Sequence, residues 1–287
     1  MRKPKVVILN ITHGDNPYMD KSPFLPVAAG ACRSDITNDA CGEDNISDKN
    51  KWYGDFTSLY WAWKNLKDVD IIGTSHYRRY LADKNYAKRI AYEIGWDDFR
   101  CCSYSMRSFK KDLEEYDFIM PYSVGFDYNL KEQYINSHPF PENINVVTEV
   151  LEELHPDAVP VWNAYMSGKT MQYGFLFMTT WKNFDELCSW LYPVLLRCES
   201  KIDVKAYQGY QERVIAFLYE RLVPVYMETY KMKIKAYPMY YITSEPNITI
   251  KQIRCSYYKQ RSRLYQFIRS LYFRVKGKNL IESVIAL

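Results

Sequence analysis

Short apolar runs alternate with helix-like segments along most of this chain. The runs at residues 5–11 and 70–75 are rich in β-branched residues and predict buried strands. Between them, apolar residues recur at helical spacing over residues 52–66 and predict a helix that packs on a sheet. Strand, helix and strand in this order favour an α/β fold with a mainly parallel sheet.

The same pattern predicts further elements downstream. Strands are expected over residues 116–121, 172–180, 223–227 and 234–242. Helices are expected over residues 108–115, 130–138, 146–154 with Asn145 as N-cap, part of 156–167, 181–197 and 210–222. Residues 15–50 are rich in Asp, Asn, Ser, Gly and Pro and predict a long loop. One domain over residues 1–245, followed by a tail over residues 246–287, accounts for this organisation.

The tail alternates basic and apolar residues. From Lys251 to Lys278 inclusive there are nine Lys and Arg residues and no Asp or Glu. At helical spacing this places an apolar stripe between rows of positive charge, which is typical of a helix on a membrane surface. A helix docked on its own domain or on a partner shows the same pattern, so both alternatives stay open. Nucleic-acid binding is not expected, because no recognised nucleic-acid motif accompanies the tail.

The amino-acid composition limits which cellular compartments and which classes of ligand fit this chain. Aromatic residues make up 16% of the chain and 27 of them are Tyr, which suits sugar rings, bases and membrane interfaces. The 7 cysteines show no CxxC spacing, so neither a zinc site nor a disulfide framework is expected. The N-terminal apolar run is too short for a signal peptide, and no window is long enough for a membrane span. A cytoplasmic protein is expected, peripheral at the inner face of the plasma membrane.

A cluster of cations and aromatics, His76-Tyr77-Arg78-Arg79, follows the strand at residues 70–75. A buried strand that delivers cations to its carboxyl end commonly presents an anion site in α/β proteins. The alternative is a strand that runs into a solvated basic loop.

Three segments in order resemble one known family: DNISDKN at residues 44–50, LYWAWKN at 59–65 and IGTSHYRRY at 72–80. They are similar to a bacterial capsular and exopolysaccharide biosynthesis family long described as a domain of unknown function and grouped with the GT-A glycosyltransferases. The resemblance implies a GT-A-like, Rossmann-related fold. It also implies transfer of a hexose from a UDP-sugar to a lipid-linked or growing polysaccharide acceptor. Galactose, as pyranose or furanose, is the first donor expected, with glucose and N-acetylated hexoses behind it.

The resemblance assigns a role to the basic cluster. Most GT-A enzymes hold a divalent metal with an Asp-x-Asp motif at the end of a central strand, and the basic cluster stands in that place here. We therefore expect a transferase without a metal or other cofactor, in which Arg78, Arg79 and His76 stabilise the departing diphosphate. Adjacent residues of an extended chain point opposite ways, so one Arg is expected to contact the phosphate while the other braces the loop.

Other residues complete the expected site. On the donor side they are Thr12, His13, Asp44, Asn45, Lys49, Tyr77 and Gln172, of which Asp44, Asn45 and Lys49 have a structural capping role as their alternative. On the acceptor side they are His138, Asp127 and Tyr173. The base stays open between Glu212, Asp117 and Asp127, and an enzyme that retains anomeric configuration needs none. Gly174 departs from the family, whose members tend to carry Asn there.

A function of a different class fits the same sequence. A non-catalytic glycan-binding or scaffold subunit of a polysaccharide assembly complex would use the same aromatic surfaces and the same tail. Turnover of any UDP-sugar separates the enzyme from the scaffold.

Overall fold

The computed structural model describes residues 4–83, 91–101, 104–138, 140–172, 174–243 and 252–253. Its strands are β1 (Val6–Thr12), β2 (Phe24–Ala28), β3 (Thr37–Asn38), β4 (Ile71–His76), β5 (Arg79–Leu81), β6 (Ala91–Gly95), β7 (Phe118–Pro121), β8 (Val124–Gly125), β9 (Thr170–Met171), β10 (Met178–Thr180), β11 (Ile234–Tyr237), β12 (Met239–Thr243) and β13 (Gln252–Ile253). Its α-helices are α1 (Asn50–Tyr53), α2 (Phe56–Asn65), α3 (Trp96–Cys101), α4 (Arg107–Asp112), α5 (Leu130–Ser137), α6 (Glu142–Leu154), α7 (Val159–Ser167), α8 (Trp181–Lys201) and α9 (Val214–Thr229).

One mixed, mainly parallel sheet organises the described residues. Its order is β3-β2-β1-β4-β10-β7-β11, and a second arm leaves β4 through β5, β12, β6 and β13. β1, β2, β3 and β4 run parallel, whereas β10 lies antiparallel between β4 and β7. The predicted α/β fold is confirmed. The basic tail predicted over residues 246–287 lies outside the described residues, apart from the backbone of β13.

The strands β1 and β4 lie side by side near the middle of this sheet. All six residues of β4 are buried, as expected of a strand covered on both faces. The register pairs Val6 with Ile71 at one end and Ile11 with His76 at the other. The carboxyl ends of both strands therefore meet at the same edge of the sheet, which is where open α/β sheets place their ligands.

The helix predicted over residues 52–66 is interrupted at Gly54. This residue has φ 54° and ψ −136°, a conformation that favours glycine because a Cβ would be strained there. The chain consequently ends α1 at Tyr53 and starts α2 at Phe56. Asp55 occupies the N-cap position of α2, yet its side chain makes no capping hydrogen bond. Its carboxylate is free for contacts elsewhere.

Three further predictions are wrong in detail. Residues 15–50 contain β2 and β3, although a loop was expected; both strands are short and lie among turn-forming residues, so no alternation marks them. Helix α6 begins at Glu142, with Pro141 rather than Asn145 at its N-cap. Of the strand expected over residues 172–180, only β10 forms.

The strand expected over residues 223–227 is instead the second half of helix α9. Its β-branched residues favour a strand locally, but α9 packs against α1, α7 and α8. Val214–Met227 is buried almost throughout, so no amphipathic stripe marks the helix. The single strand expected over residues 234–242 is divided at Pro238 into two strands, β11 and β12.

The glycine that departs from the family pattern lies against α9. A Cβ on Gly174 would come within 2.7 Å of the Cβ of Val223, closer than real Cβ contacts. Packing therefore explains why no side chain stands at this position. No helix within the described residues is both long and apolar enough to span a membrane.

Candidate active site

Two histidines meet where the central parallel strands end. His13 follows β1 and His76 is the last residue of β4, and their ring centroids are 6.1 Å apart. His76 is buried, whereas His13 is half-buried and borders solvent. The position of both rings follows directly from the β1–β4 register.

Asp55 joins the two histidines from the break between α1 and α2. Its Oδ1 is in direct hydrogen-bond contact with His13 Nε2, and its Oδ2 lies 3.7 Å from His76 Nε2. Burial acts to raise the pKa of Asp55, but His76, His13 and the hydrogen bond from His13 outweigh it and hold the pKa well below the usual range. Asp55 is therefore ionised at neutral pH.

The two histidines respond differently to this carboxylate. Burial lowers the pKa of His76 to about 3, despite Asp55, and the nearby Arg79 and Arg78 charges act in the same direction. Burial also opposes protonation of His13, but attraction to Asp55 and the hydrogen bond with it raise the pKa of His13 above its ordinary value. One imidazole is thus held neutral, while the other is protonated more readily than a free histidine.

Ligand chemistry tests whether this cluster fits a metal ion. Among the described residues, His13, Asp55 and His76 form the group whose ligand atoms all lie within 4.8 Å of one another. The backbone N–H of Arg78 donates to His76 Nδ1 over 3.4 Å, so the neutral ring carries its proton on Nε2, the atom that faces Asp55. A metal ion here would have to displace the proton on His76 Nε2 and break the hydrogen bond between His13 and Asp55. The cluster fits a proton-handling role better than a metal site.

The turn after β4 carries the basic cluster. His76 pairs with Arg79 across a tight hairpin, so Tyr77 and Arg78 form the turn itself. The Arg78 guanidinium lies over the Tyr77 ring, 5.0 Å from its centroid. The Arg79 guanidinium lies near the rings of Phe175 and Tyr241, at 5.3 and 5.7 Å. The two cations thus diverge, as expected of adjacent residues.

Neither guanidinium is neutralised by a carboxylate among the described residues. Nε of Arg78 is also buried without a hydrogen-bond partner there. Two cations without a carboxylate partner in the described part of the chain can attract an anion to the carboxyl edge of the sheet.

Helix α9 and the turn before it add two charged residues. Arg213 acts electrostatically on His13 and Asp55, and Glu220 is half-buried on α9. Burial raises the pKa of Glu220, although Arg221 and Arg79 act in the opposite direction. Glu220 is thus a second group near this edge with a shifted pKa.

A buried carboxylate, Asp39, fixes the loops around the cluster. It accepts hydrogen bonds from five donors, the backbone N–H groups of Gly30 and Ala31 and the hydroxyls of Ser47, Thr57 and Ser58. The last two belong to the first turn of α2, directly after Asp55. Beyond Ala31, the Cys32 thiol accepts from the backbone N–H of Gly14, next to His13. Asp39 thereby ties both flanks of the histidine–aspartate pair together.

Several predicted donor contacts are engaged in internal bonds. Thr12 is buried and its hydroxyl donates to the Asn16 carbonyl. Lys49 pairs with Glu199 at 2.6 Å, and Asn45 donates to the carbonyls of Ala40 and Gly42. Asp44 accepts from the Tyr60 hydroxyl, while Gln172 donates to the carbonyl of Pro121, at the carboxyl end of β7. The side chains of Asp44, Asn45 and Lys49 thus make internal contacts, and their contact with the donor stays a prediction.

The predicted base and acceptor residues are dispersed. Glu212 pairs with Lys51 at 3.3 Å, and exposed Asp127 lies beside β8. Asp117 precedes β7 at the edge opposite His76, where it accepts from the backbone N–H of Lys233. His138 stacks on Phe217 and bonds Gln211, and burial lowers its pKa to about 4. Tyr173 lies outside the described residues.

The chain contains one Asp-x-Asp tripeptide, Asp68-Val69-Asp70. It precedes β4 and therefore lies at the amino edge of the sheet, away from His76. Asp70 accepts a hydrogen bond from the backbone N–H of Lys5 over 2.7 Å. This tripeptide fixes the start of the β1–β4 pair and does not replace the basic cluster.

Sequence reasoning missed Asp55, Arg213 and Glu220. A signal for Asp55 was present, because Gly54 followed by Asp inside a helical pattern marks a break and a new N-cap. Arg213 and Glu220 lie in a segment read as one amphipathic helix, and no local pattern relates them to β1 or β4.

Comparison with known proteins places this geometry in a family. The model for the domain of unknown function DUF4422 matches residues 7–232. No curated protein matches the chain significantly. Among solved structures, the apo structure of the bifunctional glycosyltransferase WbbM is similar, with TM-score 0.73 and 21% identity over 83% of this chain. The match covers 45% of WbbM, so this chain corresponds to less than half of that protein. The predicted GT-A-like fold is thereby confirmed, and the chain belongs to the DUF4422 family.

Proposed function

We propose that this chain is a glycosyltransferase that moves a hexose from a UDP-sugar to a lipid-linked or growing polysaccharide acceptor. Galactose, as pyranose or furanose, is the first donor to test. The glycosyltransferase fold of the structural neighbour supports the reaction class. The proposal extends to a cytoplasmic protein that lies at the inner membrane face and uses residues 251–278 as its contact.

The observation that carries this proposal is the pair of unneutralised guanidiniums after β4. A sugar transferase must stabilise the negative charge that develops on the departing diphosphate, and fixed cations do so without reorganising. Arg78 and Arg79 stand at the carboxyl end of a central strand, without a carboxylate partner among the described residues. Arginine also offers paired donors that match phosphate oxygens.

Guanidinium charge in this place supports a reaction that needs no metal. The cations would do the work that a divalent ion does in related folds, and they would also repel such an ion from the same edge. His76 is held neutral, accepts from the backbone N–H of Arg78 at Nδ1 and lies 3.7 Å from Asp55 through Nε2, so it helps to position the turn and Asp55.

Turnover of UDP-galactose and other UDP-sugars by the purified chain tests the proposal. Removing the Arg that contacts the diphosphate, by Arg78→Ala or Arg79→Ala, is expected to lower kcat by about 100-fold or more. A Lys at the same position keeps the charge but loses the fork, so it should restore part of the rate. Arg107→Ala, on the exposed side of α4, is the matched control and should leave the rate unchanged.

Three results would contradict parts of this proposal. Full turnover in both Arg→Ala variants would exclude the anion site. Loss of turnover in EDTA, restored by manganese, would exclude the reaction without a metal. A wild-type chain that binds glycans but turns over no UDP-sugar would favour the non-catalytic scaffold.

A further inference from the structure

We propose that His13, held by Asp55, accepts the proton of the acceptor hydroxyl while that oxygen attacks the anomeric carbon of the donor. The inference rests on the transferase activity proposed above and assigns its base. The residues singled out by the sequence for this role, Glu212, Asp117 and Asp127, are ion-paired, at the opposite edge or exposed.

Asp55 makes a contact that is unusual for a residue at a helix N-cap. An Asp at a helix N-cap normally accepts from a backbone N–H of the first turn, a contact that stabilises a helix by about 1 kcal/mol. Here Asp55 makes no such contact and turns to His13 instead. Asp55 thus bonds His13 and leaves the first turn of α2 without a side-chain cap. This indicates that the aspartate–histidine pair has a role other than the stability of α2.

Neutral His13 carries its proton on the ring nitrogen that faces Asp55. Because Asp55 is ionised and can only accept, His13 Nε2 must carry the proton in their hydrogen bond. The neutral ring is therefore left with an unprotonated Nδ1, which has no hydrogen-bond partner among the described residues. His13 is half-buried at the ligand-bearing edge, so this acceptor atom is available to a substrate. Asp55 is a positioning residue that fixes the tautomer and the orientation of the ring.

The charges around His13 favour its protonated form. The charged groups that act on His13 are Asp55 and, at longer range, Asp39 and Arg213, while His76 faces it as a neutral ring. Proton uptake creates a positive charge on His13, and the ionised Asp55 stabilises that charge at once. Neutral His76 adds no competing cation.

The reaction balances in a single displacement. The acceptor O–H bond breaks and its proton passes to His13 Nδ1, while the oxygen forms the new bond to the anomeric carbon. The bond from that carbon to the diphosphate oxygen breaks, and its electron pair leaves with the diphosphate toward Arg78 and Arg79. Attack opposite the leaving group inverts the anomeric configuration.

The test compares four variants of the full chain for kcat, for UDP affinity by calorimetry and for the pH profile of kcat/KM. His13→Gln keeps a hydrogen bond to Asp55 but removes the base, so kcat should fall by at least about 100-fold. The Kd of UDP should stay within about threefold, because donor binding does not need a base. His155→Gln, a half-buried histidine beside Trp190, is the matched control with unchanged kcat.

Asp55→Asn provides a readout that a merely structural role would not move. A base works only when unprotonated, so the acidic limb of kcat/KM follows the pKa of His13. Without the carboxylate, burial and Arg213 lower that pKa, and the limb should shift to more acidic pH. Inversion of anomeric configuration in the product supports the proposal independently of any variant.

Four outcomes overturn the assignment. The first is His13→Gln with wild-type kcat. The second is His13→Gln with weaker UDP binding but full kcat at saturating donor, which makes His13 a donor contact. The third is product with retained configuration. The fourth is loss of kcat in Glu220→Gln alone. A wild-type chain without transfer overturns the proposed function as well, whereas wild-type transfer with a silent His13→Gln overturns only this inference.

Discussion

The carboxylate of Asp39 is expected to hold the site together, and its removal is a measurable perturbation. Asp39 is fully buried and accepts from two backbone N–H groups, at 2.9 Å from Gly30 and 3.3 Å from Ala31, as well as from three hydroxyls. In an Asp39→Ala variant the hydroxyls can rotate toward other acceptors. The two backbone donors cannot rotate and are left without a partner.

The structure gives the size of this effect. A donor left without a partner in the interior costs about 1–3 kcal/mol, so two of them imply a loss of about 2–6 kcal/mol of unfolding free energy in Asp39→Ala. In Asp39→Asn the amide oxygen still accepts from Gly30 and Ala31, and its NH₂ can donate to the hydroxyls. Only the contribution of the charge is lost, about 1–2 kcal/mol.

Urea denaturation and thermal unfolding measure both variants. At roughly 2 °C per kcal/mol for a chain of this size, Asp39→Ala should lower Tm by about 4–12 °C and Asp39→Asn by about 2–4 °C. Asp35→Ala is the matched control, since exposed Asp35 pairs with Arg33 at the surface and should cost less than about 1 kcal/mol. Hydrogen exchange at the Gly30 and Ala31 amides should accelerate in Asp39→Ala alone. Equal losses in the two Asp39 variants would refute the reasoning.

Two further predictions concern packing and pH. Gly174→Asn should destabilise the fold by about 1–3 kcal/mol because its Cβ would meet Val223. Gly209→Asn should cost less, because nothing lies within 4 Å of an added Cβ there and Asn tolerates a φ of 58° better than most side chains; equal losses in Tm would contradict this. The pKa of His138 is lowered from 6.5 to about 4 in the folded chain. As the pH falls, the unfolded chain therefore binds a proton at this residue near pH 6.5, whereas the folded chain binds it only near pH 4. The free energy of unfolding of the wild-type chain should therefore fall by up to about 3 kcal/mol between pH 6.5 and pH 4. The Tm of His138→Asn should depend less on pH over this range, and parallel curves of Tm against pH for the two chains would contradict this prediction.

The local pattern of apolar residues was sufficient to predict the two strands, β1 and β4, that position the candidate site. β1 and β4 were predicted within a residue or two, because fully buried parallel strands are continuous β-branched runs. β2 and β3 were not, since short strands among turn residues depend on a neighbouring strand rather than on their own sequence. The second half of α9 was read as a strand, because burial on all sides removes the helical period.

The site itself was predicted in part. His13, His76 and the two arginines follow from strand ends, because position after a strand fixes which edge a residue occupies. Asp55 belongs to a break between helices and meets His13 only through tertiary packing. The internal bonds of Asn45 and Lys49 depend on partners such as Ala40 and Glu199, which no spacing rule connects to them.

The β1–β4 register also bears on how the chain reaches its folded state. Each of its pairs joins residues 65 positions apart, from Val6 with Ile71 to Ile11 with His76. Such pairing is non-local. The chain must lose the entropy of closing a long loop before the two strands can form any stabilising contact, and strand pairing is therefore slower than local helix formation. His13 and His76 become neighbours only when this closure is complete. Their contact therefore marks the chain's commitment to its native topology, and a nascent chain that has not yet closed the pair has no site at all.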